Sequence, residues 1–391
     1  MIKYIMAALA VYSLIFVYGC KKDPGTMPPD SSGNNTCEFP TGNRNFSWQM
    51  DSVALFPSTL GGIWAFSDSD AYLMGDIYQW TDGVFTGYAG LHWNGKVWEK
   101  NLNGTFEEIY KHIANDVTGD DHFMVSVGYW YKGNEKAGLG EFDNRTKKWK
   151  GYQFQTPGEL YSVWTDGKGF FVAGGTDGMV YTKDGYTSGW VYTKAPTDFN
   201  FTKVKGTSKS EIYFLGSKSY VTGEYPGQLW KYKDNKWTKL LDNHDTTGTP
   251  VKIPEVTGFF YDLSVYRCSQ TDSLYIYLAG HGIYELKSHG SSEVFSKTTF
   301  VSRGFPIQPN ELPSMSIKAF SPNDIWTGGL QYKMYHWNGK DFMKIEPISY
   351  LPYGQFEGIF MKFSKTSSGK IWMILELGSQ VYAVVQGTPY K

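Results

Sequence analysis

The sequence has few cysteines, little charge and no metal-binding or nucleotide-binding motif. Three cysteines occur in 391 residues, and the seven histidines form no HExxH pair and no Cys/His cluster, which excludes the common zinc motifs. Lysine and arginine (37) balance aspartate and glutamate (38), so no basic surplus indicates a nucleic-acid partner. A P-loop and a strand–GxGxxG–helix unit are both absent. We predict a protein with no cofactor, no metal and no nucleic-acid partner.

Aromatic residues and glycine are abundant in the sequence, and charged residues are comparatively few. Aromatic residues make up 17% of the chain and glycine occurs 44 times, whereas charged residues make up 19%. Aromatic side chains suit β-strands, and glycine suits the turns between them. The length allows two or three domains at about 150 residues each, unless one closed repeat fold takes the whole chain. The composition therefore predicts an all-β protein.

The N-terminus has the features of a bacterial export signal. Lys3 supplies positive charge, and the uncharged apolar run from Tyr4 to Val17 is too short for a transmembrane helix, which needs about 20 residues. The run ends in Val-Tyr-Gly-Cys at Cys20, which resembles the lipobox of bacterial lipoproteins. This resemblance implies that residues 1–19 are a signal peptide, that Cys20 carries lipid, and that the membrane is a partner. The alternative is an ordinary secretory signal.

The segment after Cys20 predicts a tether. Residues 20–44 are rich in Pro, Gly, Ser and Asn and offer almost nothing to bury, which is typical of a flexible spacer. The folded domain is then predicted over residues 45–391. The expected location is the bacterial cell envelope, with the protein lipid-anchored at the outer membrane on its periplasmic or surface leaflet.

Two separated stretches of sequence match in the same order. Residues 65–72 (AFSDSDAY) match residues 319–326 (AFSPNDIW), and HWNGK occurs downstream of each, at residues 92–96 and 336–340. Asn-Gly is a strong hairpin dipeptide because both residues tolerate positive φ. Aromatic residues after this second hairpin are expected to pack between repeats, at Trp98, Trp149, Trp190, Trp237 and Phe342. These matches indicate an internal repeat.

Weaker copies of the pattern fill the region between. A polar turn precedes an apolar strand ending in glycine at Gly75, Gly128, Gly174, Gly216, Gly280 and Gly328, with an equivalent near Leu375. The mean spacing of about 50 residues is that of a four-stranded propeller blade. Double glycines resemble kelch repeats, and residues 182–190 resemble a degenerate Asp box. We predict a seven-bladed β-propeller of four-stranded blades, with six or eight blades as alternatives.

The two ends of the chain are predicted to complete one blade together. The last repeat supplies three strands, at residues 360–363, 371–375 and 380–385, and then the chain ends. Residues 46–50 alternate apolar and polar positions and precede the first complete repeat. Pairing this N-terminal strand with residues 380–385 would close the ring and remove two exposed sheet edges.

The longer loops on one face of the propeller carry the candidate binding residues. These loops join strand 2 to strand 3, and their aromatic side chains are Tyr78, Trp80, Tyr129, Trp130, Tyr131, Tyr220 and Tyr225. Exposed rings stack on sugar faces and anchor protein partners, so we predict a binding module for glycans or proteins. The alternative for any one ring is packing of loop on loop.

A glycosidase-like or sialidase-like enzyme is the alternative function. Such enzymes need paired acids, and the same face offers Asp76, Asp82, Glu135, Glu224, Asp242, Asp245 and Glu311, with Arg303. A single arginine counts against a sialidase, whose arginines clamp a carboxylate. The sequence shows no paired-acid motif, so we predict no catalytic residue and favour binding over catalysis.

The two cysteines that remain after Cys20 are candidates for a disulfide. Cys37 lies in the tether and Cys268 in the folded domain, and export would place both in an oxidising compartment. Cys37 is close enough in sequence to the closing strand to reach the turn face on which Cys268 is predicted. We therefore predict a Cys37–Cys268 bridge.

Overall fold

The computed structural model describes most of the domain beyond residue 38. The described residues are 39, 41–81, 83–100, 112–130, 136–218, 227–243, 249, 260–280, 283–290, 295–299, 316–328, 334–345, 358–377 and 381–390. In these ranges no helix has the length and apolar character needed to cross a membrane.

The described part is built from strands, with one 3₁₀ turn at Thr176–Gly178. In chain order the strands are β1 (Phe46–Ser67), β2 (Asp70–Thr81), β3 (Val84–Trp93), β4 (Trp98–Glu99), β5 (His112–Gly119), β6 (Phe123–Trp130), β7 (Lys136–Asp143), β8 (Lys148–Pro157), β9 (Leu160–Thr165), β10 (Phe170–Gly175), β11 (Met179–Asp184), β12 (Val191–Lys194), β13 (Asn200–Ser208), β14 (Glu211–Ser217), β15 (Gly227–Lys233), β16 (Lys236–Asp242), β17 (Asp262–Arg267), β18 (Ser273–Ala279), β19 (Ile283–His289), β20 (Ser296–Thr299), β21 (Ser316–Ser321), β22 (Asp324–Gly328), β23 (Met334–Trp337), β24 (Phe342–Ile345), β25 (Gly358–Lys365), β26 (Ile371–Leu377) and β27 (Val381–Pro389).

These strands form antiparallel sheets of consecutive strands. Four-stranded sheets contain β5–β8, β9–β12, β13–β16, β17–β20 and β21–β24. A seven-stranded sheet has the order β25-β26-β27-β1-β2-β3-β4. The first strand of each unit contacts the first strand of the next, from β1 through β5, β9, β13, β17, β21 and β25 and back to β1. Radial sheets around a closed ring of inner strands are the arrangement of a β-propeller.

Strand β1 links the two ends of the chain. It pairs with β27 from Phe46, opposite Pro389, to Leu55, and then with β2 from Leu55 to Ser67. The predicted pairing of the N-terminal strand with the last strand is confirmed. Two details differ from the prediction: β1 runs without a break through 22 residues, and residues 46–50 pair with residues 385–389 because β27 continues past Val385.

Apolar side chains fill the spaces between neighbouring sheets. Tyr72 of β2, for example, is fully buried against Phe142 of β7, with ring centroids 4.7 Å apart, and against Trp149 of β8. The aromatic residues expected between repeats lie in or against such clusters, namely Trp98, Trp149, Trp190, Trp237 and Phe342. Each sheet is therefore stabilised mainly by packing against its neighbours. The domain can contain many residues because it does not need one large central core.

The two strongest sequence matches share one hydrogen-bonded pair. His92 Nε2 lies 2.8 Å from Asp70 Oδ1, and His336 Nε2 lies 2.8 Å from Asp324 Oδ1. Each imidazole also stacks on the aromatic residue two positions after its aspartate, Trp326 in the second copy at 4.2 Å. The aspartate of the first turn and the histidine before the second hairpin thus form one structural unit.

In the Asn-Gly turns only the glycine adopts positive φ. Gly95 has φ +91° and Gly339 has φ +92°, whereas neither asparagine is in the positive-φ region. Asn94 Oδ1 instead accepts hydrogen bonds from the backbone N–H groups of Lys96 and Val97, both at 3.0 Å. The asparagine side chain closes the turn as an Asx motif, so only the glycine needs a left-handed backbone.

The last residues of the predicted tether are docked on the domain. Phe39 packs edge-on against Tyr266, with centroids 5.5 Å apart, and its carbonyl accepts a hydrogen bond from Asn323 Nδ2 at 2.9 Å. Arg44 pairs with Asp341 at 2.9 Å. A free spacer therefore ends no later than residue 38.

Candidate binding surface and central channel

The hairpin of β2 and β3 is longer than its counterparts. These strands have 12 and 10 residues, whereas the corresponding β10 and β11 have six each. Gly83, with φ +81°, supplies the left-handed backbone of the tight turn. The β2–β3 hairpin therefore extends beyond the length of the corresponding hairpins in the other sheets.

Three aromatic rings cover one face of this hairpin. Trp80 lies directly opposite Phe85, and Tyr78 lies two residues before Trp80, so the alternation of the strand places all three on the same face. The Phe85 ring centroid is 5.3 Å from that of Tyr78 and 5.4 Å from that of Trp80. We call Tyr78, Trp80 and Phe85 the aromatic face.

The aromatic face is open to solvent at its outer end. Trp80 is 60% exposed and Phe85 is 37% exposed, while Tyr78 is half-buried over Gly87, where a Cβ would lie 3.1 Å from its ring. Phe56 of the adjoining strand is a further exposed ring, at 64%. Large exposed apolar side chains grouped in this way are typical of an interaction surface.

The base of the hairpin is fixed to the domain. Ser58 Oγ accepts a hydrogen bond from the backbone N–H of Tyr78 at 2.8 Å, and Gln79 donates to the carbonyl of Val53. These contacts join the hairpin to β1, so the aromatic face has a defined position on the ring.

The other predicted binding aromatics have different surroundings. Trp130 is half-buried, donates from Nε1 to the carbonyl of Tyr152 at 2.8 Å and lies over Gly138, where a Cβ would come within 1.9 Å of its ring. Tyr129 precedes it on β6 and is also half-buried. Tyr131, Tyr220 and Tyr225 lie outside the described residues. Trp130 is thus packed on its own sheet, unlike Trp80.

Two of the acids considered for catalysis fall within the described residues. Asp242 is buried, accepts a hydrogen bond from Gln228 at 2.7 Å and pairs with Lys239 at 2.9 Å. Asp76 is half-buried near the hairpin base, and burial raises the pKa of its carboxyl. Asp82, Glu135, Glu224, Asp245, Arg303 and Glu311 lie outside the described residues. Across the described ranges, no three His, Cys, Asp or Glu side chains converge as metal ligands.

Charged residues of the inner strands meet in the central channel, which the sequence did not reveal. Lys362 of β25 pairs with Asp116 of β5 at 2.8 Å, although the inner strand β1 lies between them in the ring. Lys203 of β13 pairs with Asp262 of β17 at 3.5 Å. The Lys362–Asp116 contact skips a strand and therefore crosses the channel. Asp116 and Lys362 also interact with Lys203, so the Lys203–Asp262 pair lines the same channel.

Each channel aspartate also ties neighbouring sheets together. Asp116 Oδ2 accepts hydrogen bonds from Ser162 Oγ and from the backbone N–H of Val163, at 2.8 and 3.2 Å. Burial alone would raise the pKa of Asp116, but the positive charges of Lys362 and the other channel lysines hold it well below its usual range. The Asp116 carboxylate is therefore ionised, and its oxygens already have hydrogen-bond partners in the protein.

Cys268 forms a disulfide bond. Its partner lies outside the described residues, as do both other cysteines, Cys20 and Cys37. Cys268 is buried in the cluster against which Phe39 packs, and Phe39 follows Cys37 by two residues. The pairing with Cys37 stays a prediction, which this neighbourhood favours.

Comparisons with known proteins bear on the fold. No family profile and no curated protein matches the sequence. A solved structure described as "YCF48 bound to D1 peptide" is similar at a TM-score of 0.56 and 12% identity, covering 90% of this chain and 100% of that one. The WD40 β-propeller domain of Doa1 is similar at a TM-score of 0.35 and 13% identity, covering 70% and 92%. The first likeness supports the β-propeller fold.

Proposed function

We propose that this chain is a membrane-anchored, extracytoplasmic binding module that recognises its partner through the aromatic face of the β2–β3 hairpin. The single observation that carries this proposal is the exposed stack of Tyr78, Phe85 and Trp80 on a hairpin fixed at its base. Leaving Trp80 60% exposed forgoes burial free energy, and rigid rings are efficient anchors at interfaces.

We infer that the scaffold is a propeller of seven four-stranded blades. The support is the closed cycle of inner strands, together with a seven-stranded sheet that divides at Leu55 of β1 into two four-stranded units sharing that strand. We propose that its repeats are of a degenerate kelch-like and Asp-box-like type, in a lipoprotein propeller. A rigid closed ring suits binding because its loops are held at fixed positions.

The anchor is proposed to be lipid on Cys20. The support is the apolar run and the Val-Tyr-Gly-Cys sequence before it, followed by a spacer up to the docked Phe39. Several acyl chains, at about 0.8 kcal/mol per buried CH₂, hold a protein on a bilayer almost permanently. The bacterial outer membrane is the proposed location.

The proposed partner is a protein segment. Propellers commonly bind peptides on the loop face, and the similar structure named above is described as bound to the D1 peptide. A glycan is the second candidate, favoured by one feature: the exposed ring of Trp80 is flat and can stack on the apolar face of a sugar.

The test compares two variants with matched exposure. Ligands are first selected for the wild-type domain from a random peptide display library and, in parallel, from a glycan array. Affinity is then measured for Trp80→Ala and for Tyr192→Ala, an aromatic residue of β12 that is 46% exposed and distant from the hairpin. We expect Trp80→Ala to weaken binding at least tenfold, equivalent to about 1.4 kcal/mol, with the melting temperature unchanged.

The outcomes separate the alternatives. Selected peptides that lose affinity only in Trp80→Ala support the protein-binding proposal, whereas glycans that do so support the second candidate. Equal loss in both variants, or no loss in either, overturns the assignment of the site. Turnover of a sugar substrate that is lost on changing Glu224 or Asp82 would establish the enzyme alternative instead.

A further inference from the structure

We propose that the central channel binds a small doubly charged oxyanion between Lys205 and Lys318. This site is separate from the aromatic face and does not depend on the proposed function. It rests on the depth of the two lysines in the channel, on the charge balance there and on their lack of a hydrogen-bond or ion-pair partner among the residues that the structure describes.

The two lysines lie at the same depth in the channel. On β13, Lys205 is opposite Tyr213 and is followed three residues later by the Ser208–Glu211 pair. On β21, Lys318 is opposite Trp326 and is followed three residues later by the Ser321–Asp324 pair. Equal positions on two inner strands of one ring place the two side chains in the same layer.

Lys205 points to the channel side of its strand. Val204, its neighbour, is fully buried in the cluster between sheets, and alternation places Lys203 and Lys205 together on the other face. Lys203 reaches Asp262 on the next inner strand at 3.5 Å, so this face of β13 looks into the channel. Lys205 therefore lies beside the Lys203–Asp262 pair, and Lys318, on which the charges of Asp262 and Asp116 act, lies near the same pair.

The channel carries more positive than negative charge. Asp116 is paired with Lys362 and Asp262 with Lys203, which leaves the charges of Lys205 and Lys318 without a matching carboxylate in the described residues. The two aspartates also accept hydrogen bonds from serine and backbone donors, so they have little capacity left for further cations. The excess is two positive charges.

Neither ammonium group has a hydrogen-bond acceptor among the residues that the structure describes. The contact recorded for Lys318 is a distant cation–π approach to Phe320, at 5.8 Å. Burial lowers the pKa of Lys205 and of Lys318, although Asp116 and Asp262 attract both ammonium groups. The charges of Lys318 and Lys203 lower the pKa of Lys205 further. A partly buried cation without a hydrogen-bonded counter-ion is unfavourable, and an anion between the two would offset that cost.

The chemistry of the site selects the ligand class. Two ammonium groups offer up to six N–H donors and two charges, which match the charge and the acceptor oxygens of hydrogen phosphate or sulfate. A short dicarboxylate has the same charge with a different shape. Lys203 and Lys362, which also line the channel, are only partly buried, with 16% and 22% of their side chains exposed.

The test uses inorganic phosphate and a matched pair of variants. Binding of phosphate, sulfate and succinate to the full domain is measured by calorimetry at pH 7 and low ionic strength. Lys205→Gln/Lys318→Gln removes both donors, and the control Lys209→Gln changes a lysine of the same region that is 60% exposed. We expect at least one of the three anions to bind the wild type and Lys209→Gln equally, and the double variant at least tenfold more weakly.

The double variant is expected to fold, because it removes two partly buried charges of the same sign that repel each other. Its melting temperature without anion should equal or exceed that of the wild type, and added anion should raise only the wild-type and control values. The anion that binds tightest identifies a tetrahedral or a dicarboxylate ligand. Absence of binding by all three anions, or equal binding by the double variant, overturns the proposal.

Discussion

The buried carboxylate of Asp324 accepts hydrogen bonds from side chains of three different strands. It accepts hydrogen bonds from Trp326 Nε1 and His336 Nε2, both at 2.8 Å, and from Lys365 Nζ at 2.6 Å. Burial alone would raise the pKa of Asp324, but the hydrogen bonds from His336 and Lys365 keep it below its usual range. Burial lowers the pKa of His336, so the imidazole stays neutral and donates from Nε2. One carboxylate thus connects β22, β23 and β25.

Asp324→Ala should destabilise the protein far more than Asp70→Ala. The first change leaves three donors unpaired around a fully buried His336, a loss of about 3–5 kcal/mol as for a broken buried pair. Asp70 is more exposed, at 23% against 11%, and its partner Lys147 is on the surface, so about 1 kcal/mol is expected. Unfolding in guanidinium chloride measures both, and equal losses would contradict the structural role given to Asp324.

Particular residues show what the sequence could and could not predict at this scale. The repeat was visible because the aspartate of each polar turn and the histidine of HWNGK must occur together to form their hydrogen bond. The packing of Trp130 could not be predicted from the sequence, because the ring lies in the space left by the missing side chain of Gly138 on the next strand. The hairpin at Asn-Gly could be predicted, whereas the way the asparagine side chain closes the turn by accepting backbone hydrogen bonds could not.

At the scale of elements, β1 determines whether the ring closes. Its first half supplies the outer strand beside β27, and Phe46 is buried in the cluster that also contains Trp326 and Met373. Trp48 lies over Gly387, where a Cβ would come within 2.4 Å of its ring. The sequence allowed this pairing to be predicted because the last repeat lacks a strand that the N-terminus supplies.

Deleting residues 46–53 should lower the melting temperature strongly. The deletion exposes the edge of β27 and removes Phe46, whose truncation alone is expected to cost about 3 kcal/mol. Differential scanning calorimetry measures the change, and deletion of residues 21–35 serves as the control that leaves β1 and Cys37 in place. An unaltered melting temperature in the first deletion would show that the shared strand does not hold the ring.

The disulfide of Cys268 should join it to Cys37. Phe39 is held beside Tyr266, and two residues span at most about 7 Å, which brings Cys37 within reach of Cys268. The bridge would close a long loop and contribute on the order of 5 kcal/mol in the chain-entropy model. Peptide mapping of the non-reduced protein should recover the two cysteines linked, and two free thiols in the unfolded, oxidised protein would exclude the bridge.

At the scale of the whole molecule, closure creates features that no single segment carries. The channel lysines come from β13, β21 and β25, which are far apart in sequence and meet only in the closed ring. The architecture could be predicted from the repeat, because each blade obeys the same local rules. The channel could not, since its charge balance depends on which inner strands face one another.

Cell fractionation tests the proposed lipid anchor, because loss of the lipid should release the whole protein from the membrane. Cys20→Ser should shift the protein from the membrane fraction to the soluble one while its melting temperature stays the same, because the first described contact of the domain is at Phe39. Mass spectrometry of the mature wild-type N-terminus should show an acylated cysteine. An unmodified N-terminus at another residue would contradict the lipoprotein assignment.

Recognition by the aromatic face is the central claim, and hydrogen–deuterium exchange tests it most directly. Exchange is measured on the wild-type domain with and without a selected peptide or glycan at saturation. We predict slower exchange in the hairpin of β2 and β3 and in the adjoining part of β1 around Phe56, with β12 unchanged as an internal reference. Protection confined to any other part of the ring, with the hairpin amides unaffected, would contradict the account.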